Sequence, residues 1–225
     1  MIYVTGDKHG DFSILRQFVI NNNLKENDYI IILGDSGLMW NDSTTCQIWF
    51  NYLSNLPCKI LIIDGNHERF PYFNNLPIKQ WHNGYIHELS NNIYHLMRGE
   101  VFKIDDKSFF VFGGAESIDK AQRIENVSWW KEELPSSGEY DNGYSNLRNN
   151  DYEVDYILTH CCSIHTFNKF KDKYGMKPYI TEINEYFNVI EGLADYKHWY
   201  FGHYHFNEII DRQHTCLYEY FVEIN

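Results

Sequence analysis

Short apolar runs that end abruptly in polar turns recur along this chain. In the clearest example, the run Ile60–Ile63 leads directly into the turn Asp64-Gly65-Asn66-His67-Glu68. A short apolar run that stops at a turn is typical of a strand buried on both faces. Runs of the same kind occupy Ile2–Thr5, Tyr29–Leu33, Val154–Leu158 and His198–Phe201. The pattern therefore predicts buried strands that each deliver polar residues at their carboxyl ends.

Apolar residues at helical spacing lie between several of these runs. The spacing predicts helices over about residues 11–23, 43–53 and 179–193. Strands that alternate with helices indicate parallel pairing through crossover connections. Shorter runs between residues 85 and 115 read as successive strands, some of them antiparallel. Residues 208–210 and 217–222 are expected to pair as a terminal hairpin, so the residues alone support a mixed α/β fold.

Residues 116–150 form the least regular segment of the chain. Long irregular segments inside compact domains are often functional lids, so we expect a cap insertion over the mouth of a site. The alternative is an insertion stabilised by its own pair of side chains, Trp129 and Trp130. At 225 residues, the chain fits one domain over residues 1–225 that includes this insertion.

Charge and composition narrow the classes of partner. The net charge of −12 argues against a broad nucleic-acid-binding face, which needs clustered Lys and Arg to displace counterions. No apolar run reaches the ~20 residues that cross a bilayer, so no membrane partner is expected. The five Cys residues show no pairing pattern, which favours reduced thiols. Because the first residues enter a strand without a signal-peptide pattern, we expect a cytoplasmic protein.

The polar residues at the predicted strand ends form a candidate site. They are Asp7, His9, Asp35, Asn66, His67, His160, His203 and His205. Strand ends of one continuous structure can converge, and oxygen and imidazole ligands without Cys suit Mn, Fe, Zn or similar divalent ions. The number of ligands exceeds the need of one ion and fits two ions that share a carboxylate. A single Asp-x-His or His-x-His is usually only a surface strand end, so the prediction depends on the whole series.

In its order of motifs, the chain resembles the calcineurin-like metallophosphoesterase superfamily. The matching motifs are Gly6-Asp7-Lys8-His9-Gly10, Gly34-Asp35, Gly65-Asn66-His67-Glu68, Thr159-His160 and Gly202-His203-Tyr204-His205. The resemblance spans residues 6–205 and implies a four-layer α/β/β/α sandwich with two mixed β-sheets. It also implies a metal-dependent hydrolase of phosphate esters.

The resemblance assigns a role to each candidate residue. Asp7, His9 and His205 would hold one metal ion, and Asn66, His160 and His203 would hold the other, with Asp35 bridging them. His67 would act as a general acid toward the leaving group while a metal-bridging water or hydroxide attacks phosphorus. We expect two divalent ions, with Mn first and Fe, Zn or Ni as alternatives.

Departures from the protein Ser/Thr phosphatase branch bear on the substrate. Leu38 stands where those enzymes carry the Asp that orients the catalytic His, and Asp64 replaces their Arg before Gly-Asn-His-Glu. Arg69, Arg98 or Arg123 could supply a replacement charge, and Arg123 and Arg69 are our candidates for substrate binding. The sequence does not choose among the three.

Several functions follow from these departures. We expect a small phosphate ester as substrate, with a phosphodiester or nucleotide favoured over a phosphoprotein. A phosphoprotein (Ser/Thr) phosphatase is the alternative within the enzyme class, and the acidic charge disfavours a nuclease. The non-enzymatic alternative is an interaction scaffold on the same fold, whose ligands should then be eroded.

Overall fold

Thirteen strands and six α-helices form the framework of the part of the chain that the structure describes. The computed structural model describes residues 1–177 and 179–225. The strands are β1 (Ile2–Thr5), β2 (Tyr29–Ile32), β3 (Lys59–Ile62), β4 (Ile78–Trp81), β5 (Gly84–Ser90), β6 (Ile93–Leu96), β7 (Glu100–Ile104), β8 (Lys107–Phe112), β9 (Glu153–Thr159), β10 (Asp195–Phe201), β11 (Glu208–Ile209), β12 (His214–Cys216) and β13 (Phe221–Ile224). The helices are α1 (Ser13–Asn22), α2 (Thr44–Ser54), α3 (Phe70–Asn74), α4 (Ser137–Asn149), α5 (Ile164–Phe170) and α6 (Glu182–Leu193).

The strands divide into two mixed sheets. The first has the order β13-β1-β2-β3-β6-β5-β4, and the second has the order β11-β12-β10-β9-β8-β7. In the first sheet, β1, β2, β3 and β6 run parallel, while β13, β5 and β4 pair antiparallel toward the edges. In the second, β8, β9, β10 and β12 run parallel between antiparallel edge strands. Parallel neighbours place their carboxyl ends at one edge of a sheet, which is where the candidate residues lie.

Alternating side chains of the central strands point to opposite faces of the first sheet. Ile31 and Leu61 belong to the apolar core between the two sheets, together with Val111 and Leu158 of the second sheet. Their neighbours in β2 and β3 instead face an outer core that includes residues of α1 and α2. Each such buried aliphatic side chain contributes roughly 1.5–3 kcal/mol relative to exposure. This double burial explains why the strands appear in the sequence as continuous apolar runs.

Helices cover the outer faces of both sheets. Leu15, Val19 and Leu53 of α1 and α2 pack on the first sheet. Residues of α4, α5 and α6 pack on the second sheet. The order of layers is therefore helix, sheet, sheet, helix, and the expected α/β/β/α sandwich is confirmed. Among the described residues, the helices are too short or too polar to cross a membrane.

The predicted terminal hairpin is wrong. β11 pairs with β12 in the second sheet, whereas β13 crosses to the first sheet and pairs antiparallel with β1. The side chain of Asn207 accepts hydrogen bonds from the backbone N–H groups of Tyr218 and Tyr220, at 2.8 and 3.1 Å. These bonds lie in the turn by which the chain leaves the second sheet after β12, and β13 then covers the edge of β1.

The segment 116–150 divides into two parts. Residues 116–133 contain short 3-10 turns at Lys120–Gln122 and Lys131–Glu133, whereas α4 packs on the second sheet through Tyr140 and Leu147. The two Trp residues do not form one pair. Trp130 is buried edge-on against Trp40, and Lys120 lies over the ring of Trp129.

Candidate metal centre

The predicted ligands occupy loops that follow the carboxyl ends of parallel strands in both sheets. Asp7 and His9 follow β1, Asp35 follows β2, and Asn66 follows β3. From the second sheet, His160 follows β9, and His203 and His205 follow β10. The two sets face each other because the sheets pack with these edges side by side, so residues nearly two hundred positions apart meet in one site.

Asp7, His9 and His205 form one group of potential ligand atoms, all within 4.8 Å of one another. The Nε2 atoms of His9 and His205 lie 3.0 Å apart. The Nε2 atom of His205 lies 3.1 Å from Asp7 Oδ2, and that of His9 lies 3.7 Å from the same oxygen. The three side chains therefore converge on one point, as the resemblance implies for the first ion.

Asp7, Asp35 and His160 form a second group within the same 4.8 Å limit. His160 Nδ1 donates to the carbonyl of Leu33 at 2.7 Å, which leaves Nε2 facing the site, 3.4 Å from Asp35 Oδ1 and 3.1 Å from Asn66 Oδ1. Asp7 thus belongs to both groups. The resemblance gives the bridging position to Asp35 alone, so the shared position of Asp7 is a feature that the motifs did not indicate.

His203 lies beside the second group. Its ring centroid is 5.0 Å from that of His160, and its backbone N–H donates to Asp7 Oδ1 at 2.9 Å. Burial and the charge of His160 lower the pKa of His203 to about 4. The ring is therefore neutral at pH 7, which is the form that binds metal ions.

The chemistry of these donors fits divalent cations. Asp7 Oδ2 is buried and makes no aligned hydrogen bond within residues 1–177 and 179–225, although His205 Nε2 lies 3.1 Å away. A buried carboxylate oxygen needs a positively charged partner, which can be a protonated imidazole or a metal ion. Burial opposes charging of His160, yet Asp35 and Asp7 raise its pKa to about 9. The two carboxylates therefore already hold a positive charge in this place.

The neighbouring thiols do not compete as ligands. Burial raises the pKa of Cys161 to about 12 and that of Cys162 well above its usual range. A neutral thiol is a poor ligand. The donor set of carboxylate, amide and imidazole groups suits Mn, Fe, Zn or Ni.

Four of the predicted ligands have a left-handed backbone. The φ angles are 47° at His9, 48° at Asp35, 70° at His203 and 54° at His205. Non-glycine residues rarely adopt this region, and they do so mainly where the surrounding structure fixes them at functional sites. The loops therefore hold these side chains in a conformation that the surrounding fold imposes.

Two motif glycines are required by close approach. A Cβ atom on Gly65 would lie 2.0 Å from Asp35 Oδ1, and one on Gly202 would lie 2.5 Å from Asp7 Oδ1. Any other residue at either position would push a carboxylate out of the site. The glycines in these motifs thus reflect the packing of one loop against the ligand of another.

The orientation of Asn66 depends on two residues that the sequence did not indicate. Asn66 Nδ2 donates to Ser117 Oγ at 3.1 Å, and the Ser117 hydroxyl donates to Glu133 Oε2 at 2.7 Å. Glu133 is fully buried and also pairs with Lys120 at 2.7 Å. This chain of hydrogen bonds fixes the amide, so that Asn66 Oδ1 faces the site.

Glu68 joins two of the ligand loops. It is fully buried and accepts hydrogen bonds from the backbone N–H and the hydroxyl of Ser36, at 2.7 and 3.0 Å. Burial and the nearby charge of Asp35 raise its pKa well above the usual range. The Gly65–Glu68 turn is therefore fastened to the loop that carries Asp35.

His67 lies at the edge of the two ligand groups. Its backbone N–H donates to Asp35 Oδ1 at 2.6 Å, and the Nη atoms of Arg123 lie 3.0 Å from each of its ring nitrogens. A guanidinium only donates and a neutral imidazole accepts at one nitrogen, so one of these two contacts is a hydrogen bond. Burial and the Arg123 charge lower the pKa of His67, although Asp35 opposes them.

The structure separates the three arginines that could bind a phosphate. Arg123 contacts His67 and is held by Asp119 at 2.8 Å. Arg69 pairs with Asp42 at 2.7 Å and is not among the lining residues of the two cavities beside His67. Arg98 is buried, with its Nε 2.9 Å from Asp64 Oδ2 in an ion pair rather than an aligned hydrogen bond. Only Arg123 is therefore brought to the candidate site.

Asp64 and Leu38 have structural roles at the positions that depart from the phosphatase pattern. Asp64 is buried between Arg98 and His95, whose Nε2 lies 2.9 Å away. Leu38 is buried in the outer core of the first sheet. The two substitutions therefore place an ion pair and an apolar contact next to the ligand loops.

His67 lines two cavities. The first, of about 800 Å³, includes Asp35, Asn66 and His203 and extends along apolar side chains of the second half of the chain. The second, of about 530 Å³, is lined by Trp40, Ser43 and Arg123 among others. Predicted ligands therefore line both of the cavities that share His67.

Comparison with known proteins agrees with this geometry. The family model described as calcineurin-like phosphoesterase matches residues 1–207. The search of curated proteins gave no match. The matched region contains every predicted ligand and His67. The chain belongs to the calcineurin-like phosphoesterase family.

Proposed function

We propose that this chain hydrolyses phosphodiesters, including those of nucleotides, at a centre of two divalent ions. The family supports metal-dependent hydrolysis of phosphate esters in general. The observation that favours a diester is the position of His67 between two cavities. A phosphodiester carries an organic group on each side of phosphorus, whereas a monoester would leave one cavity unused.

Seven side chains would hold the ions. Asp7, His9 and His205 would bind one ion, and Asn66, His160 and His203 the other, with Asp35 and Asp7 both near the two positions. When bound, the ions supply Lewis-acid polarisation of the phosphoryl oxygens and lower the pKa of water. Ser117 and Glu133 would keep the oxygen of Asn66 directed at the site.

Arg123 and His67 would act on the ester itself. The guanidinium of Arg123 would bind a phosphoryl oxygen, which suits its planar set of donors. Arg123 can donate to the His67 ring only while that ring is neutral, so His67 would act as an acid after Arg123 has turned to the phosphoryl oxygen. Burial and the guanidinium charge lower the pKa of His67, which makes its protonated ring a stronger acid toward the leaving oxygen. In this proposal Arg69 has no direct role, because it is paired with Asp42 and lines neither cavity.

Parallel assays of bis-p-nitrophenyl phosphate and p-nitrophenyl phosphate test the proposal. With Mn, Ni or Zn added, we expect about two ions per chain by metal analysis and a higher kcat/KM for the diester. Asp7→Asn should lose both ions, since Asp7 lies in both ligand groups, whereas His9→Ala should lose one.

Other outcomes would contradict the proposal in distinct ways. Preference for the monoester would indicate a phosphomonoesterase and bring the phosphoprotein alternative forward. Metal binding without hydrolysis of either ester would favour the interaction scaffold. Absence of metal binding would refute the assigned centre altogether.

A further inference from the structure

The larger cavity has an apolar wall that the proposed chemistry at phosphorus does not use. Away from the predicted ligands it is lined by Ile118, Ile164, Phe167, Met176, Tyr179 and Ile180. Its volume of about 800 Å³ falls in the range of small-molecule sites, which are mostly apolar with a few polar groups. The wall is continuous with Asn66 and His203 at the candidate centre.

Core packing does not account for three of these side chains, Ile118, Tyr179 and Ile180, which are exposed. Ile118 is 79% exposed and Ile180 is 48% exposed, although both are large aliphatic residues. Single exposed apolar residues are common on protein surfaces. Here, however, they converge on the same cavity as Phe167 and Met176, and that cavity leads to the predicted ligands.

The charges around the wall disfavour an anionic occupant. Glu116 and Asp119 line the cavity. Glu116 forms an ion pair with Lys120 and Asp119 forms one with Arg123, each at 2.8 Å. Lys177 also lines the cavity and adds one positive charge. A cavity that binds a second phosphate would need an excess of basic groups. The lining of this cavity is instead mainly aromatic and aliphatic.

The aromatic side chains favour a flat occupant. Phe167 and Tyr204 both line the cavity, with ring centroids 5.8 Å apart. Tyr179 lines it from the following segment. Aromatic rings bury large areas and prefer offset or edge contacts with other rings.

We infer that this cavity binds an uncharged ring system esterified to the phosphate, as one arm of the diester. The inference rests on the proposed function, because it places the phosphate at the candidate centre. The ring would lie between Ile118 and Ile180 at the mouth and Phe167 below them. Removal of these apolar surfaces from water would then supply binding free energy at a distance from phosphorus.

Calorimetric binding of two non-hydrolysable probes to the metal-loaded chain tests the inference. Phenylphosphonate and methylphosphonate share the anionic head and differ in the ring. We expect phenylphosphonate to bind at least about tenfold more tightly, since even one methylene in an apolar pocket is worth ~10-fold or more.

Exposed isoleucines offer matched variants for the test. Ile118→Asn and Ile180→Asn should each reduce the advantage of the phenyl probe several-fold and leave the affinity for methylphosphonate unchanged. Ile124 is 67% exposed in the same insertion and is absent from the lining of both cavities, so Ile124→Asn should change neither probe. These neutral substitutions alter the apolar surface without adding charge.

The outcomes separate this inference from the proposed function. Equal affinity for the two probes, or equal effects of Ile118→Asn and Ile124→Asn, would overturn the assignment of the cavity. A retained preference for the phenyl probe without hydrolysis of any ester would contradict the proposed function and support the cavity assignment. Hydrolysis of the diester without a preference for the phenyl probe would support the proposed function and contradict the cavity assignment.

Discussion

At the residue scale, His67 is positioned differently from the catalytic His in the protein phosphatase branch. Leu38 replaces the expected Asp, and the contact to the His67 ring comes from Arg123 instead. Burial lowers the pKa of the His67 imidazole, the Asp35 carboxylate opposes this shift, and the Arg123 charge lowers the pKa further. The lowered pKa makes the protonated His67 ring a better proton donor.

Replacement of His67 should reduce turnover without loss of metal. We expect His67→Ala to lower kcat about 10²–10⁴-fold for esters with poor alkyl leaving groups, and much less for p-nitrophenyl esters, because a good leaving group needs no acid. Steady-state kinetics with both ester types and metal analysis measure these effects. His165→Ala, an exposed change that alters neither cavity lining, serves as control. Loss of metal in His67→Ala would show that this residue is a ligand.

Ser117 acts through Asn66 rather than on the substrate. Ser117→Ala removes the acceptor of the Asn66 amide, so we expect metal affinity to fall about 10–100-fold, as for other groups that orient a ligand. Titration calorimetry with Mn measures this loss. Ser117→Thr keeps the hydroxyl and should restore most of the affinity. Equal losses in the two variants would point to packing instead of orientation.

At the element scale, the strands and their polar turns could be predicted, because double burial leaves continuous apolar runs. The edge strand β4 could not, since its residues Ile78–Trp81 are mostly exposed and lack a pattern. α3 spans only five residues and was also missed. The last strand could be predicted, but its partner could not, because it pairs with β1 at the opposite end of the chain and no local pattern marks such a pairing.

The residues of the candidate site likewise divide into those that could be predicted from the sequence and those that could not. The candidate ligands lie in motifs at strand ends, and the structure brings their side chains together. Their binding of metal ions stays a prediction. Ser117 and Glu133 could not be predicted, because they lie in an irregular segment where no periodicity marks buried polar residues. Their partnership with Asn66 exists only in the folded chain. Nothing in the local sequence around Ser117 indicates which residue its side chain will contact.

An ion pair between α5 and the turn before β12 should make stability depend on pH. Asp211 accepts from Lys169 at 2.6 Å and lies 2.8 Å from His214 Nδ1. Burial opposes its charge, but Lys169 and His214 hold the pKa of Asp211 below its usual value. Because the folded pKa is below the unfolded one, this contribution is present at neutral pH and is lost as pH falls below about 4.

The variant Asp211→Asn isolates that contribution. It should lower the free energy of unfolding at pH 7 by up to ~1 kcal/mol, the range for a partly exposed pair, and by less at pH 2.5. Urea denaturation at both pH values measures the difference. Asp106→Asn, in the exposed turn between β7 and β8, is the control. A loss that is the same at both pH values would indicate that the Asp211 charge is not involved.

At the scale of the whole molecule, the candidate centre joins the two sheets. The loops of the first sheet supply Asp7, Asp35 and Asn66. The loops of the second sheet supply His160, His203 and His205. Bound ions would therefore add a further link between elements that already meet through the apolar core and through hydrogen bonds such as that from His160 to Leu33. Metal that binds only the folded chain raises its stability by mass action.

Metal loading should raise the free energy of unfolding. At a free metal concentration of 100 Kd we expect about 2.7 kcal/mol per site, measured by urea denaturation with and without EDTA. Asp7→Asn should abolish the difference, because both ligand groups include Asp7. An undiminished effect in that variant would place the stabilising ion elsewhere on the chain.

The crossing of β13 to the first sheet also determines when folding can finish. Ile2 pairs with Ile224, so this contact spans 224 − 2 = 222 positions along the chain. Closing so long a loop costs chain entropy before any hydrogen bond repays it, which makes non-local strand pairing slow. Until it forms, β1 has only β2 beside it and presents a row of free backbone groups, the kind of edge on which chains aggregate. The strand that leads to Asp7 is thus open to misassembly until β13 is in place.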